Sequence, residues 1–183
     1  MNSETKTKTL KLTTLAMLAA VAIVLVALIH FPLLPAAPFL EYDPADIPIL
    51  IGTFLYGPWA GLALTAVVSL IQGLTVSAAS GWIGIVMHVL ATGSFVLLAG
   101  FLYHRDHTRK GAYLALGVGV LAQTLVMTGC NLVFTPLFMG ASMQDVMGML
   151  LPVIIPFNLL KAVLNSVVTM MVYKPISRAL RNR

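Results

Sequence analysis

The sequence predicts an all-α integral membrane protein with six transmembrane helices and both termini on the cytoplasmic side. Three observations carry this. Of 183 residues, 59% are hydrophobic and only 9% are charged, with a mean hydropathy of +0.96; an average soluble domain has roughly 25% charged residues. The apolar residues fall into runs close to the roughly 20 residues that one helix needs to cross a bilayer. Finally, ten of the eleven cations lie just outside those runs. Lys6, Lys8 and Lys11 precede the first run, Arg105, Arg109 and Lys110 share one short loop, and Lys174, Arg178, Arg181 and Arg183 close the chain. Cations gather at the cytoplasmic ends of membrane helices, so the net charge of +5 is a topology signal and not a nucleic-acid footprint.

The elements follow in order. A first helix is expected over about 10–29. Its apolar run, Leu12 to Ile29, is long for a signal-peptide core and lacks a small-residue cleavage site, so no cleavable signal is expected. Residues 30–46, HFPLLPAAPFLEYDPAD, hold four prolines and three acids. They cannot be helical throughout and read as an ordered outside loop. The apolar stretch from Ile47 to about Val76 is too long for one span, and Gly57-Pro58 within YGPWAG is a turn signal. It divides into a short helix over 46–56 and a helix over 59–76. SAASGW is a turn before a fourth helix over 83–103. HRDHTRKG is the inside loop, a fifth helix covers 112–134, TPLFMGASMQD is an outside loop, and a sixth helix covers 152–173. Four spans then separate the basic N-terminus from the basic 104–110 loop, and two more lead to the basic tail. Even numbers keep all three basic regions on one side. The whole chain, 1–183, reads as a single membrane domain.

The chemistry of this chain is sparse. Cys130 is its only cysteine, so no internal disulfide forms. There is no G-x-x-x-x-G-K-[ST] phosphate loop, so ATP is not bound in that way. Ser69, Ser77, Ser94 and the histidines form no recognisable catalytic motif, which argues against an enzyme. His30, His104 and His107 lie near membrane edges on both sides, so no metal site is expected. His88 has two readings, a bond within the bundle or a pocket residue.

Lys161 is the cation out of place. It lies in LLPVIIPFNLLKAVLNSVVTMMVYK, residues 150–174, and a charged lysine at a helix centre costs about 2.5–3.5 kcal/mol on insertion scales. Asn158, Lys161 and Asn165 are spaced i, i+3, i+7 and share one helix face. Pro152 and Pro156 precede them and free backbone carbonyls. Either Lys161 pairs with an acid, such as Glu41 or Asp145, and locks helices together, or it faces a wet cavity and holds a ligand. Asn131, toward the outer end of the fifth helix, either flanks the same outward pocket or bonds a neighbouring helix.

The segments LEYDPADIPILIGTFLYGPWAG, SGWIGIVMHVLATGSF and IIPFNLLKA resemble the riboflavin-specific substrate-binding (S) subunits of energy-coupling factor (ECF) vitamin transporters. The resemblance spans roughly residues 10–175. It implies an ECF S-component-like bundle in a prokaryotic cell membrane, with riboflavin as transported ligand and no cofactor. It implies that Asn131, Asn158 and Lys161 line the pocket and that the loop around Leu40, Glu41, Tyr42 and Asp43 closes over it. Phe39, Tyr42 and Trp82 would pack the flavin rings. The implied partners, besides lipid, are a transmembrane coupling subunit and two ATPase subunits. Ala16 and Ala20, four apart with Ala19 and Ala27 nearby, form a small-residue face that allows close helix approach. The resemblance makes that face the docking surface for the coupling subunit; packing within the bundle is the alternative. The rival functions are an S subunit for another flavin or vitamin and, from a different class, an intramembrane enzyme.

Overall fold

A computed structural model describes residues 3–35 and 37–181. It is a helical bundle of α1 (Ser3–Leu28), α2 (Asp46–Tyr56), α3 (Pro58–Leu74), α4 (Gly81–Arg105), α5 (Arg109–Met139), α6 (Met143–Met149) and α7 (Ile155–Arg181). Residues between α1 and α2 form a loop tied by two short antiparallel strands, β1 (Phe31–Pro32) and β2 (Glu41–Tyr42), with Phe31 opposite Tyr42.

Four helical segments are long and apolar enough to cross a membrane: Glu4–Leu28, Ala78–Arg105, Arg109–Met139 and Met143–Ala179. α2 and α3 are shorter. At about 1.5 Å per residue, α2 extends only about 16 Å, roughly half the hydrocarbon thickness. Its length is tolerable because every residue from Asp46 to Phe54 is buried. A helix apolar all round belongs inside a bundle, and α2 packs among the others there. The turn at Gly57, with φ 92°, folds α3 back from α2.

The core takes Ala22 and Val26 from α1, Ile49 and Leu50 from α2, Phe95 and Val96 from α4, and Ala115 from α5. Glycine sets two close approaches. A side chain at Gly100 of α4 would come within 2.8 Å of the Pro58 backbone, and one at Gly119 of α5 would strike the Phe95 ring. Small residues permit such contact where lipid supplies no hydrophobic drive between helices. Several buried hydroxyls are satisfied within their own helices. Thr53, Thr65 and Thr124 each donate to the carbonyl four residues back, at 2.8, 2.9 and 2.8 Å.

The structure departs from the sequence expectation after residue 134. α5 continues through Pro136 to Met139 and stops at Gly140, whose φ of 64° suits glycine. The segment read as an outside loop then holds α6. Ser142 caps α6: its hydroxyl accepts from the Asp145 backbone at 3.2 Å, while the Asp145 carboxylate accepts from the Ser142 backbone at 3.1 Å. Asp145 is thereby engaged with Ser142. A turn of π-helix over Leu150–Ile154, with the Ile155 N–H donating to Leu150, carries Pro152 and runs into α7. Prolines inside apolar segments mark helix ends in soluble proteins; in a membrane bundle, neighbouring helices and local π adjustment accommodate them.

At the opposite end, Thr108 caps α5 by accepting from the Gly111 N–H at 3.0 Å. The Thr108 backbone N–H, then its side chain, hold the Asp106 carboxyl below its ordinary range. The two aspartates are local turn and cap residues.

Candidate ligand-binding site

A cavity of about 180 Å³ opens between the strand-tied loop and helices α3, α4, α5 and α7. The loop supplies Phe39, Leu40, Glu41 and Asp43, and α7 supplies Phe157, Asn158 and Lys161. Asn131 and Met127 come from α5, and His88 and Met87 from α4. A smaller cavity of about 100 Å³ adjoins it past Phe39, Leu40 and Asn131 and is walled by Phe134 and Phe138. A lining that combines polar groups with aromatic and thioether side chains suits a flat molecule with a hydrogen-bonding edge.

Lys161 is both paired with an acid and on the cavity wall. It lines the cavity, and its Nζ donates to Asp43 Oδ2 at 2.6 Å. The acid is neither Glu41, which is exposed at the rim, nor Asp145. Asp43 is buried, and its second oxygen accepts from the Ala45 N–H at 3.1 Å in the turn entering α2. The pair therefore fastens the loop to α7 while facing the cavity.

Asn131 and Asn158 hold their amides against their own helices. Asn131 donates to the Met127 carbonyl and accepts from Thr135, both at 2.8 Å. Asn158 donates to the Ile154 carbonyl at 2.8 Å, at the junction where the π turn becomes α7. Both asparagines line the cavity. Tyr42 does not. Its hydroxyl donates to Asn165 Oδ1 at 3.0 Å, and its ring packs on Phe31 with centroids 5.6 Å apart. Trp82 sits 62% exposed, edge-on to Phe134 at 6.2 Å, rather than on the main cavity wall. Phe157 takes an aromatic position that the sequence did not single out. Ala16 and Ala20 lie on the outward face of α1, and Ala19 and Ala22 face the core.

Beneath the cavity lies a network centred on Asp46, which is 0% exposed. Oδ1 accepts from Thr92 at 2.9 Å and faces His88 Nε2 at 3.2 Å. Oδ2 accepts from Gln123 and from Asn165, each at 3.3 Å. One carboxylate thus joins α2 to α4, α5 and α7. Asn165, the third member of the predicted stripe, belongs here and not to the cavity wall, because seven residues along α7 carry it about 10 Å deeper. The sequence reading grouped Asp46 with the loop acids and gave it no role. The signal available was the set of polar residues His88, Thr92, Gln123 and Asn165 in apolar helices, each needing a partner. Among the described residues, Gln72 Oε1 and Gln123 Oε1 are buried without a donor. Both glutamines line the cavity, with these two oxygens turned into the protein.

Long apolar helices around a polar-edged internal cavity define a multi-pass membrane protein of the ligand-capturing kind. Comparison with known proteins places it. The chain belongs to the substrate-specific components of ECF transporters, whose family model matches residues 10–173. It is 29% identical over 174 residues to "Riboflavin transporter FmnP" of Bacillus subtilis (strain 168), covering 91% of each chain. It is 31% identical over 177 residues to "Riboflavin transporter RibU" of Staphylococcus aureus (strain TCH60), covering 93% of this chain and 92% of the other. A solved structure described as "Structure and mechanism of the S component of a bacterial ECF transporter" superposes with a TM-score of 0.76 at 32% identity, covering 93% of this chain and 96% of that one. The chain is accordingly a prokaryotic cell-membrane transporter component and not an enzyme.

Proposed function

We propose that this protein captures riboflavin from outside the cell and delivers it through a separate, ATP-driven coupling module. The observation that carries this reading is the cavity where Asn131 of α5 and Asn158 and Lys161 of α7 meet the loop residues Leu40, Glu41 and Asp43. The pyrimidine edge of a flavin offers carbonyls and an N–H, which asparagine can match as donor and acceptor. The ribityl hydroxyls suit Lys161 on the cavity wall. Relatives named as riboflavin transporters over nearly the full length support the choice of vitamin. Titrating riboflavin into the purified protein tests it. Saturable, one-to-one quenching of flavin fluorescence is expected. Absence of quenching, with saturable binding of a different vitamin, would replace riboflavin as the ligand while leaving the fold reading intact.

In this proposal the chain, 1–183, is a single membrane domain making six crossings, α2 and α3 supplying the shorter ones. Both termini and the 104–110 loop are cytoplasmic, and the cavity opens outward. The position to probe is Glu41, because Asp43 is buried against Lys161. A membrane-impermeant thiol reagent on intact cells should label Glu41→Cys and spare His107→Cys. The reverse pattern would invert the topology.

The coupling partners are a transmembrane subunit and two ATPase subunits, with α1 as the docking helix. The outward exposure of Ala16 and Ala20 supports that use. Ala16→Trp or Ala20→Trp should leave riboflavin binding by the isolated subunit within about twofold and abolish energised uptake, because a bulky side chain blocks close helix approach. Binding lost in the isolated subunit would assign these alanines to the bundle itself.

A further inference from the structure

Four ionisable side chains gather at one end of the bundle: Asp43, Lys161 on α7 and His88 on α4, which line the cavity, and Asp46, which His88 contacts. Lys161 is paired with Asp43 at 2.6 Å. Among the described residues, Asp46 has no lysine or arginine paired with it. Its partners are the neutral Thr92, Gln123 and Asn165, and His88. With a neutral imidazole the group holds two negative charges and one positive; with an imidazolium it is balanced. The remaining titratable neighbours are Glu41, exposed at the cavity rim, and the Tyr42 phenol bound to Asn165. α3 and α5 present only the uncharged Ser69 and Gln123.

The hydrogen bonds around His88 accommodate both states. Nδ1 lies 2.8 Å from Ser69 Oγ, and Nε2 lies 3.2 Å from Asp46 Oδ1. Ser69 Oγ is also 2.6 Å from the Thr65 carbonyl. When the hydroxyl donates to that carbonyl, it can accept from Nδ1–H while Nε2–H donates to Asp46, which is the imidazolium arrangement. When the hydroxyl turns to donate to Nδ1, the neutral ring is served and Nε2–H keeps its bond. One hydroxyl rotation absorbs the gain or loss of a proton.

His88 also lines the cavity. A ligand filling that space displaces water, and an unbalanced charge costs more in drier surroundings. We propose that His88 is a proton-binding site linked to ligand capture, the filled cavity favouring the imidazolium that balances Asp46. The linkage rests on the riboflavin reading above; the proton site itself does not. By reciprocity, whatever the ligand adds to proton binding, the proton adds to ligand binding. Affinity is therefore greatest at low pH and declines as pH rises.

Riboflavin is titrated into the purified protein from about pH 5.5 to about pH 8.5, the range in which histidines change charge. The dissociation constant should rise with pH by at least about fivefold and by at most tenfold per unit, the limit for one linked proton. In His88→Gln, and separately in Asp46→Asn, it should vary by less than about twofold over the same range. Asp46→Asn removes the charge that the proton balances, and Gln123 can turn its orphaned oxygen toward the new amide; either variant alone suffices if the other fails to fold. A flat profile in the unsubstituted protein, or the same slope in the variants, overturns the linkage. Nitrogen-15 spectra of histidine-labelled, ligand-free protein test the proton site directly, the His88 signal being the one lost in His88→Gln. It should pass from imidazole to imidazolium as pH falls; a ring neutral throughout overturns the site. Failure of riboflavin to bind at every pH would overturn the ligand reading and the linkage together, and the spectra would still decide whether His88 takes a proton.

Discussion

Replacing Lys161 by methionine is expected to destabilise the protein and weaken riboflavin binding together. The Asp43–Lys161 pair is mostly buried, with side-chain exposures of 9% and 14%. Removing one partner strands the other, which costs about 3–5 kcal/mol for buried pairs. The Asp43 carboxylate would keep its bond from the Ala45 N–H, and the loop would stay tied to α7 through Asn165, which bonds the Tyr42 hydroxyl and the Asp43 carbonyl. The double variant Asp43→Asn/Lys161→Met separates the two effects. With no stranded charge, it should recover most of the melting temperature. It should not recover the donor, so affinity should stay lower by about 1.5–3 kcal/mol, the range for hydrogen bonds involving a charged group. That is roughly 10- to 150-fold. Melting temperature and riboflavin dissociation constant, measured on both variants, decide the matter. Full recovery of affinity in the double variant would reduce Lys161 to a structural fastening.

Asp46→Ala should destabilise the fold by a similar amount. It removes the acceptor shared by Thr92, Gln123 and Asn165 and the partner of His88, all on helices that α2 must join. Some donors retain a second bond: Gln123 reaches Thr92 at 3.4 Å, and Asn165 reaches the Asp43 carbonyl at 3.3 Å. Thr92 and His88 Nε2 have none. At about 1–3 kcal/mol for each stranded buried group, a loss of about 3–5 kcal/mol follows. In a chain of this length that is a fall in melting temperature on the order of 10 °C. Thermal unfolding in detergent reads it. An unchanged transition would mean that α2 is held by apolar packing alone.

The comparison of Asp43 and Asp46 shows where sequence reasoning reached its limit. They lie three residues apart in one acid-bearing, proline-rich stretch, and nothing local distinguishes them. Asp43 closes a turn and meets a lysine at the cavity. Asp46 opens a helix driven into the middle of the bundle. Lys161 was legible because a charge in an apolar run has a cost that sequence alone exposes; its partner was not, because that partner is 118 positions away. Tyr42 was placed at the site by the loop it belongs to, yet the strand pairing of Phe31 with Tyr42 turns its hydroxyl toward Asn165.

By itself, the sequence determined the membrane setting, the helical class and the polar stripe on the last helix. Hydropathy, cation placement and 3.6-residue spacing are properties of neighbours along the chain, and the bilayer enforces them on any fold. Only the tertiary structure decided that α2 is buried all round, that Asp43 and not Glu41 or Asp145 answers Lys161, and that one carboxylate gathers α4, α5 and α7. Those outcomes depend on which polar groups meet once the helices pack. A buried donor takes whatever acceptor the packing brings within about 3 Å, and no local pattern in the chain records that distance.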